Sequence, residues 1–309
     1  MLFSIDGPEA FSCAATGYDP AFEQPIDVEE TGGGALFGGA WPAAGFAGED
    51  GHPEHMLPEM DAQVAPGQQL VPSAGWPWSA IVKLTVSFPS GHDFTASGVM
   101  VGRNDVLTAA HVVYQPDEGG YPTSVVVTPA SLRGDESPWG SYHAMVQIAD
   151  VQFDPDGDGR IVPGNGGPGL VGSERDIALL ALRTPLGDRT GWMPIDTDFK
   201  EGWAHLSGYP NAHGLHLTDG VAWAYDSSVD SYTDISNFEV HHGDSGGPVW
   251  HFDRFGRPAV VALVSTGNDF NDADPSNDRG VAAVDLAPYY ATPGQMLRAW
   301  IPANDHLIA

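Results

Sequence analysis

The segment with the most chemistry in it is Gly243-Asp244-Ser245-Gly246-Gly247-Pro248. A serine hydroxyl is a poor nucleophile on its own. It needs a neighbouring base and a place for the negative charge that develops on the substrate oxygen. Glycines on both sides let the backbone turn tightly and expose the hydroxyl. They also leave the N–H groups of Gly243 and Ser245 uncovered, where they could converge on an oxyanion. The plain alternative is a Gly-rich turn with a capping serine, and for an isolated G-x-S-x-G that alternative prevails. Two other segments change the balance. In Leu107-Thr-Ala-Ala-His111-Val-Val113 a histidine closes an apolar run. In Asp176-Ile-Ala-Leu-Leu-Ala-Leu182 an aspartate opens one. Alone, the histidine reads as a core residue and the aspartate as a cap. Together, in the order His111, Asp176, Ser245, they supply a base, its orienting carboxylate and a nucleophile.

These residues need elements to hold them. From Ser79 onward short apolar, β-branched runs recur, at Ala80–Val86, Val99–Leu107, Ser124–Thr128, Met145–Phe153, Ile177–Leu182, His205–Ser207, Val221–Tyr225, Ala259–Ser265 and Gly280–Asp285. Gly, Pro, Asn and Asp separate them. Many short strands punctuated by turns predict an all-β sandwich or a pair of barrels. Near the end, Met296, Leu297, Trp300 and Ile301 are spaced as on one face of a helix.

The three segments together resemble the trypsin/chymotrypsin-like serine peptidases, on the bacterial side near the glutamyl endopeptidases. Weaker matches are Trp76-Pro-Trp78, Ser207-Gly-Tyr-Pro210 and Val264-Ser-Thr-Gly267. The resemblance spans roughly residues 74 to 302. It implies two six-stranded antiparallel β-barrels of the chymotrypsin type with a short C-terminal helix. His111 and Asp176 would belong to the first barrel and Ser245 to the second. It also implies a serine endopeptidase working through an acyl-enzyme, with Gly243 and Ser245 as oxyanion donors. Ser265, Gly267 and Gly280 would border the substrate. Counting back six residues from Ser245 puts Glu239 at the pocket base, which favours Arg or Lys before the scissile bond. His241 and His242 leave a Glu/Asp preference open.

Composition narrows the remaining possibilities. The 309 residues carry a net charge of −29, which repels nucleic acid and anionic membranes. The resemblance implies peptide or protein substrates as partners, and a monomer is expected. A single cysteine, Cys13, excludes an intrachain disulfide. Residues 1–72 are Gly-, Ala- and Pro-rich, with twelve acidic residues before position 71 and no Lys or Arg before Lys83. They read as a disordered tail or prosegment, with the peptidase domain over 73–309. The N-terminus has no signal-peptide pattern, and no apolar stretch is long enough for a membrane span. Secretion is nonetheless expected from the family.

One further motif is Asp154-Pro-Asp156-Gly-Asp158-Gly-Arg160. Aspartates at alternate positions match the first half of a calcium loop, with the backbone of Arg160 at the seventh place. The twelfth place is Asn165 rather than Glu, which weakens the match. The motif leaves two readings open, a solvated acidic turn and a structural calcium site. The chemistry itself requires no cofactor. The rival readings are a non-catalytic calcium-binding module of the same fold and an α/β-hydrolase esterase. The esterase needs a helix after Ser245, where Pro248-Val-Trp250 reads as a strand.

Overall fold

Strands and tight turns alternate from residue 81 to residue 285, and the helices are short. The computed structural model describes residues 69–71, 74–131, 137–149, 175–210, 214–226, 231–268, 279–291 and 295–308. The strands are β1 (Gln69–Leu70), β2 (Ile81–Ser87), β3 (Asp93–Met100), β4 (Asp105–Thr108), β5 (Ser124–Pro129), β6 (Tyr142–Ala149) and β7 (Ala178–Leu182). They continue with β8 (Glu201–Gly208), β9 (His216–Asp226), β10 (Ser231–Asp234), β11 (Pro248–Phe252), β12 (Pro258–Asn268) and β13 (Arg279–Asp285).

They form the two expected antiparallel barrels. The first closes in the order β2-β3-β4-β7-β6-β5. The second runs β9-β10-β13-β12-β11-β8, and the β8–β9 pairing closes it. The C-terminal helix covers Met296–Ala303. β1 adds to the outside of β9, with Gln69 opposite Leu217 and Leu70 opposite His216. Val71 follows it, buried, and its N–H bonds to Leu215 O. Residues 69–71 thus pack with the second barrel, although composition groups them with the acidic segment.

Val99–Leu107 reads as one run but forms two strands. Gly102-Arg103-Asn104 supplies turn residues between β3 and β4, and Val101 N–H closes the turn on Asp105 O at 3.0 Å. Asn104 and Asp105 are buried there. The Asn104 amide donates to Leu182 O and Asn304 O, and the Asn304 amide donates to Asp105 Oδ1 at 2.8 Å. This polar knot fixes the C-terminal segment to the first barrel. Burial pushes the Asp105 carboxyl up to about 7, against the opposing bond from Asn304.

The barrels meet along an apolar seam with a few polar stitches. Trp78 and Trp250 pack edge to face at 5.6 Å. Tyr209, buried just after β8, reaches into the first barrel, donating to Ile81 O at 3.0 Å and accepting from Ser131 N–H at 3.1 Å. Burial drives its phenol pKa upward, so it stays a neutral donor.

Candidate active site

Register brings the histidine and the aspartate together. β4 pairs with β7 so that Thr108 faces Ala178. The chain leaves β4 past Thr108 and enters β7 from Asp176 at the same end of the ladder. After extended Ala109, the turn of helix Ala110–Val113 places His111 over Asp176.

Asp176 is fully buried, and the described bonds use both of its oxygens. Oδ1 accepts His111 N–H at 2.8 Å. Oδ2 accepts from His111 Nδ1 at 2.6 Å and from Ser265 Oγ at 2.6 Å. An ionised carboxylate can only accept, so Nδ1 carries the proton and Nε2 is left as the base. Burial alone would lower the His111 pKa. The charge and hydrogen bond of Asp176 outweigh it and raise the pKa above its ordinary value.

Ser245 sits in the turn before β11. Gly243 has φ +102° and Gly246 φ +75°, a region that glycine enters without strain. A Cβ on Gly246 would lie 2.0 Å from Thr108 Oγ1, so no other residue lets the serine turn approach the strand leading to His111. Within the turn, the N–H groups of Asp244, Gly246 and Gly247 go to His241 O, Val264 O and Asp244 O. Among the described residues no bond of this kind takes the N–H of Gly243 or Ser245. Nor does one join Ser245 Oγ to His111, a contact that commonly closes only when substrate binds.

A residue that the sequence does not single out ties these pieces together. Ser97 on β3 is fully buried. Its N–H donates to Ser245 O at 2.9 Å and its Oγ to Gly243 O at 2.6 Å. Thr108 Oγ1 donates to Ser97 O at 2.8 Å. A serine among small residues before an apolar run carries no pattern that would mark it.

The family model of the trypsin-like peptidase domain matches residues 96–263, which is more than half of the chain and contains all three of these residues. The chain belongs to the trypsin-like peptidase family. A protein described as an extracellular metalloprotease from Bacillus subtilis (strain 168) is 21% identical over 204 residues, 64% of this chain. The aligned part spans 60% of that relative's length. Three solved structures share the fold. A thermostable serine protease AL20 from an extremophilic microorganism has a TM-score of 0.50 at 23% identity, over 67% of this chain and 91% of its own. A Glu endopeptidase has a TM-score of 0.50 at 16% identity, over 78% and 95%. The protease Anisep from Arthrobacter nicotinovorans has a TM-score of 0.50 at 20% identity, over 68% and 90%.

In this trypsin-like peptidase, the residues expected to border the substrate fall into two groups. Ser265 and Gly267 lie on β12, where the register with β13 shifts around Thr266 and pairs Gly267 with Gly280. Gly280 is filled from behind, since a Cβ there would sit 2.6 Å from Ile235 O. Glu239 is buried in the approach to the serine turn, with Oε1 3.0 Å from Nε2 of buried His241, while His242 is exposed. Sequence reading treats Glu239 and His241 as rivals for the pocket, whereas they are bonded to each other. Asp154, Asp156, Asp158 and Arg160 lie outside the described residues. Among the described residues, no group of three or more His, Cys, Asp and Glu side chains could hold a metal ion.

Proposed function

We propose that the chain is a serine endopeptidase in which Ser245 Oγ attacks the peptide carbonyl. His111 Nε2 takes the hydroxyl proton and then delivers it to the leaving amine. Asp176 keeps the imidazole in the required tautomer and stabilises the imidazolium. The N–H groups of Gly243 and Ser245 receive the tetrahedral oxyanion, each worth on the order of 3 kcal/mol in such sites. The resulting acyl-enzyme is hydrolysed by water through the same base. The observation that carries this reading is the Asp176 carboxylate, buried and bonded to both the backbone N–H and Nδ1 of His111 beside the serine turn.

The substrate is a peptide or protein. Glu239 supports a preference for Arg or Lys before the scissile bond, and its bond to His241 weakens that preference. That bond occupies one oxygen of the carboxylate and keeps a preference for Glu or Asp as the second reading. Secretion is supported by the relative described as extracellular. Among the described residues no helix is long and apolar enough to cross a membrane.

Cleavage of a peptide library, read by mass spectrometry for the wild type and Ser245→Ala, tests both parts. Cuts that vanish in the variant are the expected result. The residue before each cut then assigns the pocket. Equal cutting by both proteins would remove Ser245 from the chemistry. No cutting by either would leave a member of the family without the activity.

A further inference from the structure

We infer that Ser97 is a positioning residue for the oxyanion donors, acting from the first barrel on a loop of the second. The inference rests on the assignment of Ser245 as nucleophile.

In the serine turn, the peptide plane between Gly243 and Asp244 is held at both ends. Its carbonyl accepts from Ser97 Oγ at 2.6 Å, and its N–H donates to His241 O at 3.0 Å. The plane between Ser245 and Gly246 is held likewise. Its carbonyl accepts from Ser97 N–H at 2.9 Å, and its N–H donates to Val264 O at 2.8 Å. Between them, the Asp244 carbonyl is tied by Gly247 N–H at 2.8 Å, which leaves the Ser245 N–H as that plane's open end. Ser97 therefore grips the planes on either side of the one that presents the Ser245 donor. Its hold on the Gly243 carbonyl also fixes the frame from which the Gly243 N–H projects.

The hydroxyl proton of Ser97 has one direction available. Tyr209 N–H donates to the same Oγ at 2.9 Å, which fills its acceptor side and leaves the proton for Gly243 O. The site is too tight to re-form by relaxation. A Cβ on Gly208 would come within 3.0 Å of Ser97 Oγ, and one on Gly247 within 3.2 Å of Ser97 Cβ. With the hydroxyl gone, the Gly243 carbonyl and the Tyr209 N–H would both be buried and unpaired. A rotation of the Gly243 peptide planes would then become the easiest way to recover a bond. Such a rotation turns the oxyanion donors away from each other. Preorganised donors act only where the charge develops, so the loss belongs in kcat rather than in substrate affinity.

The experiment uses the full chain with Ser97→Ala and Ser97→Cys, assayed on a peptide that the wild type cleaves. For Ser97→Ala we expect kcat to fall by about ten- to a hundredfold, short of the loss from deleting a donor outright. KM should move by less than about threefold. The acidic limb of kcat/KM, set by His111, should stay where it is. A cooperative melt confirms that each variant is folded. Where Ser97→Ala does not fold, Ser97→Cys keeps the volume with a weak donor and carries the same expectation. A folded Ser97→Ala or Ser97→Cys with wild-type kcat overturns the inference. So does a loss confined to KM, or one accompanied by a shifted His111 limb. Ser245→Ala separates the two readings, because activity surviving in that variant defeats the serine mechanism whatever Ser97 does.

Discussion

The two barrels share a topology and differ in what fills them. The first is packed with large branched side chains, among them Ile81, Leu84, Leu107, Ile177, Leu179, Leu180 and Leu182, all fully buried. The interior cluster of the second mixes Ala204, Ala222, Ala262 and Ala283 with branched residues such as Leu206, Ile235 and Val249, and Phe238 is its largest member. It also buries polar groups such as His205, Thr233, Glu239 and His241. Register shifts occur in both, between Val146 and Ile148 in the first and at Val249/Trp250 and around Thr266 in the second. The first barrel contributes to the site a carboxylate and an imidazole with settled bonding. The second contributes the serine turn and β12, whose shifts lie beside Ser265 and Gly267.

The largest effect should come from the settled half. Asp176→Asn should lower kcat by about 10⁴-fold, because an amide in that place favours the wrong imidazole tautomer. Steady-state kinetics against pH would read a second consequence. The His111 pKa is raised by Asp176, so in the wild type kcat/KM falls as pH drops through a value above the ordinary one for histidine. In the variant that limb should move down. A limb unmoved by the loss of Asp176 would mean that the carboxylate does not set the base.

Next come two substitutions of identical chemistry, one per barrel. Leu180→Ala and Leu206→Ala each remove a buried leucine, at a cost of about 2–5 kcal/mol. Leu180 should fall near the top of that range and Leu206 near the bottom, because the four alanines of the Leu206 cluster leave fewer side-chain atoms there to lose contact. Denaturant unfolding of both variants decides it. Equal losses, or a larger loss at Leu206, would break the contrast between the barrels.

A smaller effect lies at the end of the first barrel. Burial raises Asp105 to about 7 in the folded chain, against an ordinary value of 3.8. Below that lower value the group is protonated in both states and imposes no penalty. As pH rises toward 7 the unfolded chain ionises and the folded chain does not, so stability is lost across that window and levels off above it. Asp105→Asn should abolish this slope in melting temperatures measured from pH 4 to pH 8. A slope that persists would place the titration elsewhere.

What the sequence reveals follows the same division. The ends of β7 and β13 stand out because alternative structures would strand their apolar runs. The serine turn is legible because glycine, aspartate and serine at those spacings have few other uses. The hairpin inside Val99–Leu107 is signalled only by Gly102-Arg103-Asn104, which the apolar residues on either side outweigh. β10 (Ser231–Asp234) has too few apolar residues to announce itself and exists because β9 and β13 flank it. The role of Ser97 is not legible at all. Its partners lie 11 to 148 positions away, and local pattern carries no trace of bonds closed by tertiary structure.

Tyr209 gives the chain one last property. Its hydroxyl is lodged among backbone groups of the first barrel while its own N–H ends on the side chain that grips the serine turn. One residue thus ties the packing of one barrel on the other to the position of the serine turn. Melting and loss of activity are therefore expected to coincide on heating, which calorimetry read beside residual activity would check.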